Sequence, residues 1–364
     1  MIDLRSDTFT LPSIEMREHI SRAEVGDDYY GEDKSVNRLE SYCMELFGKE
    51  GAIFTTSGML ANQLAIVTQV ARGNEVVTEY NYHINLFESA QHAAFSHVVL
   101  NGRETCDGVI RVADVARALS SKPRESTYSQ VELVSIENTI SSRQGKIFPF
   151  EVILDLRSYT KEKGINLHMD GARLFHASIA TKIPLSGYAE QVDTLGVCFS
   201  KALGAPFGSM LMGPKEIIEK ARRLRVWYGS GFHQIGIYAE AAYFALTRQF
   251  DRLSEDHRLT KLLAEKLMRL PEFGVNAEFI ETNMIFINLS KLGLGAEDFA
   301  ARCQAKGVMV LAFLPTTVRL VVSRNVNEAD INKAAEVILG AMLDCLKDRA
   351  RPSVCGGLRH PPCV

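Results

Sequence analysis

Short apolar runs alternate with longer segments of helical spacing along the chain up to about residue 235. The pattern predicts strands at residues 51–56 (GAIFTT), 131–136, 165–169, 193–199 and 207–212, and helices at residues 59–71 and 150–162. Apolar strands separated by helices indicate βαβ units, in which a mainly parallel sheet is buried on both faces. The fold class predicted for this part of the chain is α/β.

The pattern changes in the rest of the chain. Helical spacing at residues 237–248, 252–269, 296–306 and 328–346 surrounds apolar runs at residues 284–289, 308–314 and 318–322. Short strands gathered near a turn at Pro315, with helices around them, predict a smaller α+β domain. We expect a large domain with an N-terminal segment at residues 1–245, the smaller domain at residues 246–349 and a disordered tail at residues 350–364.

Composition excludes some classes of protein. The chain has 41 basic and 44 acidic residues and a net charge of −3, whereas a general nucleic-acid binder or polybasic membrane binder needs a positive surface field. No apolar run reaches the roughly 18 residues of a membrane span, and we expect a soluble, cytoplasmic protein. The seven cysteines include no CxxC pair, so we expect neither disulfides nor a metal site. In the tail, Cys355, His360 and Cys363 are metal-ligand types, although an inert terminus is the preferred interpretation.

Lys201 is a candidate nucleophile. It follows an apolar run directly and lies in a glycine-rich segment, residues 198–209 (CFSKALGAPFGS). A lysine in a partly dry pocket has a lowered pKa, and only the neutral amine attacks a carbonyl to form a Schiff base. A solvated loop lysine is the alternative interpretation.

Asp170 is a candidate cofactor contact. It ends an apolar run, and Arg173 follows three residues later. The carboxyl ends of parallel strands carry ligand contacts in α/β sheets. A buried aspartate there needs a cation, and the pyridinium nitrogen of pyridoxal phosphate is one. A helix N-cap is the alternative.

Ser57 and Gly58 lie between a predicted strand and a predicted helix. Exposed amides at a helix N-terminus form an anion site, and glycine lets a phosphate approach the backbone. An ordinary turn is the alternative. The order of a phosphate turn, a ring-facing aspartate and then a lysine is typical of fold-type-I pyridoxal-phosphate enzymes.

Several stretches of the chain resemble the threonine aldolase family. The N-terminal signature is similar at residues 2–8 (IDLRSDT) and 26–31 (GDDYYG). Further similar stretches are residues 48–62, 83–88, 137–139 (ENT), 168–173 (HMDGAR), 200–209, 282–284 (TNM) and 318–320 (VRL). The resemblance runs from residue 2 to about residue 346. It implies the β-eliminating-lyase-like branch of the fold-type-I enzymes, with an aspartate-aminotransferase-like domain and a sheet of the seven-stranded type.

The resemblance implies pyridoxal 5′-phosphate as the cofactor and an amino acid as the substrate. The implied cofactor contacts are Ser57, Gly58, Met59, His83, Asp170, Arg173, Lys201 and His233. Lys201 would hold the cofactor, Asp170 would face the ring nitrogen, Arg173 would lie near the phenolic oxygen and His83 would stack on the ring. Ser6 and Arg319 would hold the substrate carboxylate. Tyr30 would lie near the site across the interface of a homodimer or homotetramer.

Each of these residues also has an alternative interpretation. For His83 it is a hydrogen-bonded structural histidine, which would be preferred without the resemblance. For Arg319 it is an ion pair on a surface strand, and for Tyr30 it is packing in the core.

The chain also departs from the family pattern. Ile140 stands where many members carry a histidine that contacts the substrate β-hydroxyl, and isoleucine cannot accept a proton. His233 replaces a basic residue at the cofactor phosphate, Met59 replaces a threonine and Val226 replaces a lysine. Fewer cations at the phosphate should weaken cofactor retention unless Arg225 or another group compensates.

The favoured function is cleavage of β-hydroxy-α-amino acids of the threonine or allo-threonine type to glycine and an aldehyde, with His83 as the base, directly or through water. The alternative is an alanine racemase on the same fold, in which Lys201 serves one face of Cα and His83 or Tyr30 the other. The drier pocket expected at Ile140 favours this alternative, and β-elimination also stays open. A cofactor-binding protein without turnover is disfavoured, because Lys201 and Asp170 are both present.

Overall fold

The computed structural model describes residues 1–123, 125 and 127–350. The part of the predicted disordered tail at residues 351–364, with Cys355, His360 and Cys363, lies outside the described residues. The strands are β1 (Ile2–Asp3), β2 (Gly51–Thr55), β3 (Glu75–Glu79), β4 (Val99–Arg103), β5 (Val131–Glu137), β6 (Asn166–Asp170), β7 (Thr194–Cys198), β8 (Ser209–Gly213), β9 (Met284–Asn288), β10 (Val308–Met309), β11 (Leu311–Leu314) and β12 (Thr317–Val321).

The α-helices surround these strands in the order α1 (Ile14–Ile20), α2 (Lys34–Phe47), α3 (Gly58–Gln69), α4 (His83–Leu86), α5 (Ser89–Gln91), α6 (Val112–Ser120), α7 (Phe150–Lys163), α8 (Leu174–Thr181), α9 (Leu185–Glu190), α10 (Lys215–Arg225), α11 (Gly236–Arg248), α12 (Leu253–Leu267), α13 (Ala296–Ala305) and α14 (Glu328–Ala350). None of the helices within the described ranges is long and apolar enough to span a membrane.

A sheet of seven strands forms the centre of the molecule, in the order β2-β8-β7-β6-β5-β3-β4. Strand β8 is antiparallel to both of its neighbours, and the other adjacent pairs are parallel. Strands β2, β3, β5, β6 and β7 therefore run in one direction, and their carboxyl ends lie along one edge of the sheet. The prediction of a mainly parallel α/β sheet of the seven-stranded type is confirmed.

Two of the seven strands, β3 and β4, were not among the predicted apolar runs. Glutamates stand at both ends of β3, and glutamate is depleted in strands. All of β3 is nevertheless buried. The carboxylate of Glu75 is compensated there, because Asn101 Nδ2 donates to Glu75 Oε2 at 2.8 Å and Lys122 forms an ion pair with Glu75 Oε1.

The C-terminal part contains a small antiparallel sheet, in the order β11-β12-β9. The single run predicted at residues 308–314 is divided into β10 and β11, and β10 pairs in parallel with β1. The larger hydrophobic cluster extends from Met16 to Leu253, while Ile2 and Leu4 pack in the C-terminal cluster with residues of α12, α13 and α14. The domain boundary near residue 246 stays a prediction.

Candidate active site

Polar side chains gather where five strands of the large sheet end. Ser57 follows β2, His83 follows β3, Glu137 ends β5, Asp170 ends β6 and Lys201 follows β7. Because these strands run in one direction, the five residues lie along the same edge of the sheet. This is the edge at which α/β proteins bind their ligands.

Two adjoining cavities lie at this edge. An inner cavity of about 200 Å³ is bordered by Ser57, Gly58, Met59, Asn62, Glu137 and Asp170, among others. An outer cavity of about 440 Å³ is bordered by Ser6, Phe9, Phe87, Phe313 and Arg319, among others. Both are bordered by Thr8, His83, Ser141, Arg173 and Lys201. Polar side chains at the strand ends therefore border the inner cavity, and three aromatic side chains are among those that border the outer one.

The inner cavity begins at the N-terminus of α3. Ser57 caps this helix, and its Oγ accepts a hydrogen bond from Leu60 N at 3.2 Å. A Cβ added to Gly58 would lie 2.8 Å from the sulfur of Cys198, so any larger residue at this position would force a neighbouring group to shift. The unpaired amides and the dipole of a helix N-terminus attract a phosphate. This end of the cavity fits the phosphate group of a cofactor.

The carboxylate of Asp170 lies at the inner cavity and is 6% exposed. Asn62 Nδ2 and Ala172 N donate to it, each at 3.0 Å. No cationic side chain of the described chain forms an ion pair with Asp170. The residue at the N-cap position of α8 is Arg173, not Asp170. A buried carboxylate without a cation fits a protonated ring nitrogen. With Lys201 on the same cavity, the residues present fit pyridoxal phosphate.

Arg173 lies between the two cavities and is held by Asp7. Its Nε and Nη2 donate to the two carboxylate oxygens of Asp7 at 2.8 and 2.6 Å, and both side chains are buried. Burial opposes the charge on Asp7, but the charge and hydrogen bonds of Arg173 outweigh it and hold the pKa of Asp7 well below its usual range. The pair keeps the guanidinium in place beside Lys201.

His83 is oriented by a buried carboxylate. Its Nδ1 lies 2.6 Å from Glu88 Oε1, which also accepts a hydrogen bond from Asn62 Nδ2 at 3.1 Å. Burial would lower the pKa of His83, but the hydrogen bond to Glu88 and the charges of Asp170, Glu88 and Glu137 outweigh it and raise the pKa above 6.5. Ligand-type atoms of His83, Glu88 and Asp170 lie within 4.8 Å of one another. The hydrogen bonds of Asn62 to both carboxylates explain this cluster without a metal ion.

Glu137 connects two walls of the cavities. Its Oε2 accepts from His83 N at 2.6 Å, and its Oε1 accepts from Ser141 N at 2.8 Å. Burial and the neighbouring charge of Asp170 raise the pKa of Glu137 to about 7, although the two amide hydrogen bonds oppose this change. The sequence alone indicates no role for Asp7, Glu88 or Glu137. Each is nevertheless an acidic residue within a stretch that resembles the threonine aldolase family, at residues 2–8, 83–88 and 137–139.

Ser6 and Arg319 lie together at the outer cavity. The Oγ of Ser6 accepts from Thr8 N at 3.2 Å, and Nη2 of Arg319 donates to the carbonyl oxygen of Arg5 at 3.4 Å. Burial lowers the pKa of Arg319 to about 10, and the charge of Arg173 acts in the same direction. Within the described ranges no carboxylate pairs with Arg319, so the interpretation as a surface ion pair is wrong.

Residues 3–290 of the chain match the model of a family described as beta-eliminating lyase. The chain belongs to the beta-eliminating lyase family. The enzymes of this family depend on pyridoxal phosphate, so the sequence-based assignments of an enzyme and of its cofactor are confirmed.

The relatives of this lyase span almost the whole chain. A low-specificity L-threonine aldolase of Escherichia coli O157:H7 is 37% identical over 339 residues, covering 92% of this chain and 97% of the relative. Low-specificity L-threonine aldolase 1 of Arabidopsis thaliana is 34% identical over 347 residues, covering 94% and 96%. The resemblance to threonine aldolases is confirmed.

A solved structure has the same fold. The threonine aldolase of Leishmania major superposes with a TM-score of 0.78 at 20% identity, covering 93% of this chain and 99% of the other. At this level of identity, the likeness supports the fold alone. It confirms the fold-type-I architecture expected of the lyase.

Three residues to which the resemblance gave roles lie outside both cavities in this lyase. The prediction that Ile140 meets the substrate is wrong, because its apolar side chain is fully buried in the large hydrophobic cluster. Tyr30 is 73% exposed and touches Tyr29, so its interpretation as core packing is also wrong. The side chain of His233 is 74% exposed and pairs with Asp27 at 2.8 Å.

Arg225 does not replace the missing phosphate cations. Its side chain is buried, pairs with Asp28, and donates to the carbonyl oxygen of Phe54 at 2.7 Å. Met59, by contrast, borders the inner cavity beside Ser57 and Gly58, where the sequence placed it.

Proposed function

We propose that the enzyme cleaves β-hydroxy-α-amino acids of the threonine type to glycine and an aldehyde. The observation that carries this proposal is the meeting of Lys201, the Asp170 carboxylate, which has no cationic partner among the described residues, and the His83–Glu88 pair around two adjoining cavities. The names of the threonine aldolase relatives support the same reaction.

The residues of the inner cavity would hold the cofactor. Lys201 would bind it covalently through its amine, Asp170 would keep the ring nitrogen protonated, and the N-terminus of α3 would receive the phosphate. When bound, pyridoxal phosphate accepts into its ring the electron pair released as a bond at Cα breaks.

The outer cavity would orient the substrate. Arg319 is a half-buried cation without a carboxylate partner among the described residues, and a bidentate contact with the substrate carboxylate would fill that role. Ser6 would contribute a hydroxyl beside it. Fixing the carboxylate decides which bond at Cα stands perpendicular to the cofactor ring, and here that bond would be Cα–Cβ.

His83 would remove the proton of the β-hydroxyl. Its Nδ1 faces Glu88, so Nε2 is the nitrogen available to accept a proton. As the O–H bond breaks, its electrons form the carbonyl of the aldehyde, and the electron pair of the Cα–Cβ bond leaves toward Cα. Glu88 would stabilise the imidazolium that results.

The reaction is tested by incubating the purified enzyme with L-threonine and measuring acetaldehyde, and with L-alanine in deuterated water and measuring Cα exchange and D-alanine. We expect acetaldehyde, and no such product from Lys201→Ala, which should also lose the visible absorbance of the bound cofactor. Exchange and D-alanine without acetaldehyde would favour the racemase instead. No observation at the site favours that alternative, because Ile140 lies in the core.

We also propose a homodimer or homotetramer with shared active sites, in the cytoplasm. Tyr29, Tyr30 and Trp227 are exposed aromatic residues, and His233 is exposed on a segment that hydrogen-bonds to residues 28 and 29. Mixing Lys201→Ala with His233→Ala should restore activity if each site takes one residue from each chain. A mixture that stays inactive, or a monomeric mass in solution, would contradict the shared site.

The location is tested with a fluorescent fusion of the enzyme. A fusion found outside the cytoplasm would contradict the proposed location.

A further inference from the structure

Ser141 presents an unassigned hydroxyl where the two cavities meet. Its residue borders both cavities. Its Oγ forms no hydrogen bond to another residue of the described ranges, and it is not among the polar atoms shielded from solvent there. The hydroxyls of Thr139 and Ser142, on either side of it along the chain, are shielded. Ser141 is therefore the residue of this segment whose hydroxyl a ligand can reach.

Glu137 holds Ser141 and His83 in a fixed relation. One oxygen of its buried carboxylate accepts from the amide of Ser141, and the other accepts from the amide of His83. Ser141 also begins a short 3-10 helix, Ser141–Arg143, directly after the buried Ile140. The backbone under both side chains is thus fixed to the end of β5, and the two residues border the same cavities.

We propose that Ser141 determines specificity by donating a hydrogen bond to the β-oxygen of the substrate, an inference that rests on the proposed function. Arg319 would take the carboxylate and Lys201 would lie toward the amine, which would leave the β-substituent near His83, since all three residues border the outer cavity. A donor at the β-oxygen stabilises the negative charge that grows there as His83 takes the proton. The contact is made only by a substrate with a β-hydroxyl.

The test compares Ser141→Ala and Ser141→Thr with the wild-type enzyme, with Ser120→Ala as an exposed control. All are purified with cofactor bound. One assay follows acetaldehyde from L-threonine and L-allo-threonine. The other follows exchange of the Cα hydrogen of glycine in deuterated water, because glycine has no β-hydroxyl.

We expect Ser141→Ala to lower kcat/KM for the β-hydroxy amino acids about tenfold, the effect of one hydrogen bond. Its glycine exchange should continue at the wild-type rate, Ser141→Thr should keep most of the cleavage, and Ser120→Ala should match the wild type in both assays. Cleavage by Ser141→Ala at the wild-type rate would overturn the inference. An equal loss in both assays would also overturn it, since that result indicates a purely structural role.

The two proposals fail in different ways. A wild-type enzyme that exchanges the glycine hydrogen but releases no aldehyde would overturn the proposed function, and the role of Ser141 with it. A wild-type enzyme that releases aldehyde beside an unaffected Ser141→Ala would overturn the role of Ser141 alone.

Discussion

Asp7 and Arg173 form a buried bidentate ion pair that joins the N-terminal segment to the segment after β6. The two hydrogen bonds measure 2.8 and 2.6 Å, and the side chain of Asp7 has no exposed surface. Removing one partner of such a pair leaves an uncompensated charge in the interior. The pair therefore stabilises the fold and holds Arg173 at the two cavities that Lys201 also borders.

Asp7→Asn should strongly destabilise the enzyme. We expect the free energy of unfolding to fall by about 3–5 kcal/mol, because Arg173 would stay buried without its counter-charge. Urea denaturation of the holoenzyme measures this. Asp3→Asn is the matched control, since Asp3 pairs with Arg5 in a more exposed position and should cost no more than about 1 kcal/mol. Equal effects of the two variants would contradict the prediction.

Glu88→Gln should move the pH dependence of cleavage toward lower pH. The base must be neutral, so activity rises with pH through the pKa of His83, which Glu88 helps to raise above 6.5. Losing the carboxylate lowers that pKa, and the rise in kcat/KM begins at lower pH. The profile is measured from about pH 5 to 9. Glu24→Gln, at an exposed pair with Lys34, should leave it unchanged; an unmoved profile in Glu88→Gln would argue against His83 as the base.

Gly58→Ala should weaken cofactor binding. The added Cβ would meet Cys198 Sγ at 2.8 Å, so the phosphate turn must shift, and overpacking of this kind costs about 1–3 kcal/mol. Titration of the apoenzyme with pyridoxal phosphate, followed by absorbance, measures the affinity. Adding Cys198→Ala removes the sulfur and should restore part of the affinity through the coupling of the two sites. A double variant no better than Gly58→Ala would show that the clash is not the cause.

Arg319→Gln should raise KM for L-threonine by about 10- to 100-fold, because hydrogen bonds to charged groups contribute about 1.5–3 kcal/mol. The visible absorbance of the cofactor should persist, because Arg319 borders only the outer cavity. Steady-state kinetics separate KM from kcat. Arg324→Gln, just beyond β12, is the control and should leave KM unchanged. An unchanged KM in Arg319→Gln would remove the arginine from substrate binding.

The local pattern of apolar residues predicts most of the strands that carry the site, but not all of them. Those from β5 to β8 contain runs rich in apolar residues, because both faces of the sheet are covered by protein. Strand β3 was not predicted, because glutamates at both of its ends are unfavourable in a strand unless other groups compensate their charge. Asn101 and Lys122, which compensate Glu75, come from other parts of the chain.

Ile140 and Ser141 show that local sequence also fails to predict which side chains reach the active site. Resemblance pointed to residue 140, but the cavity is reached by residue 141. Which of two successive side chains faces a ligand depends on the local backbone, here a bridge from Ile140 to Lys146 followed by a short helix. A difference of one residue along this turn decides whether a side chain lies in the core or at the cavity. The sequence alone does not indicate which of the two residues faces the cavity.

The sequence by itself determined the α/β class and made Lys201 and Asp170 candidates, because each follows an apolar run that passes into a polar turn. The cofactor came from the resemblance of several stretches of the sequence to the threonine aldolase family. Only the tertiary structure decided that Asp7 neutralises Arg173, that Glu88 orients His83 and that Glu137 joins His83 to Ser141. Such partners are selected by burial, because a charge or amide removed from water pairs with whatever group the fold brings within hydrogen-bond distance.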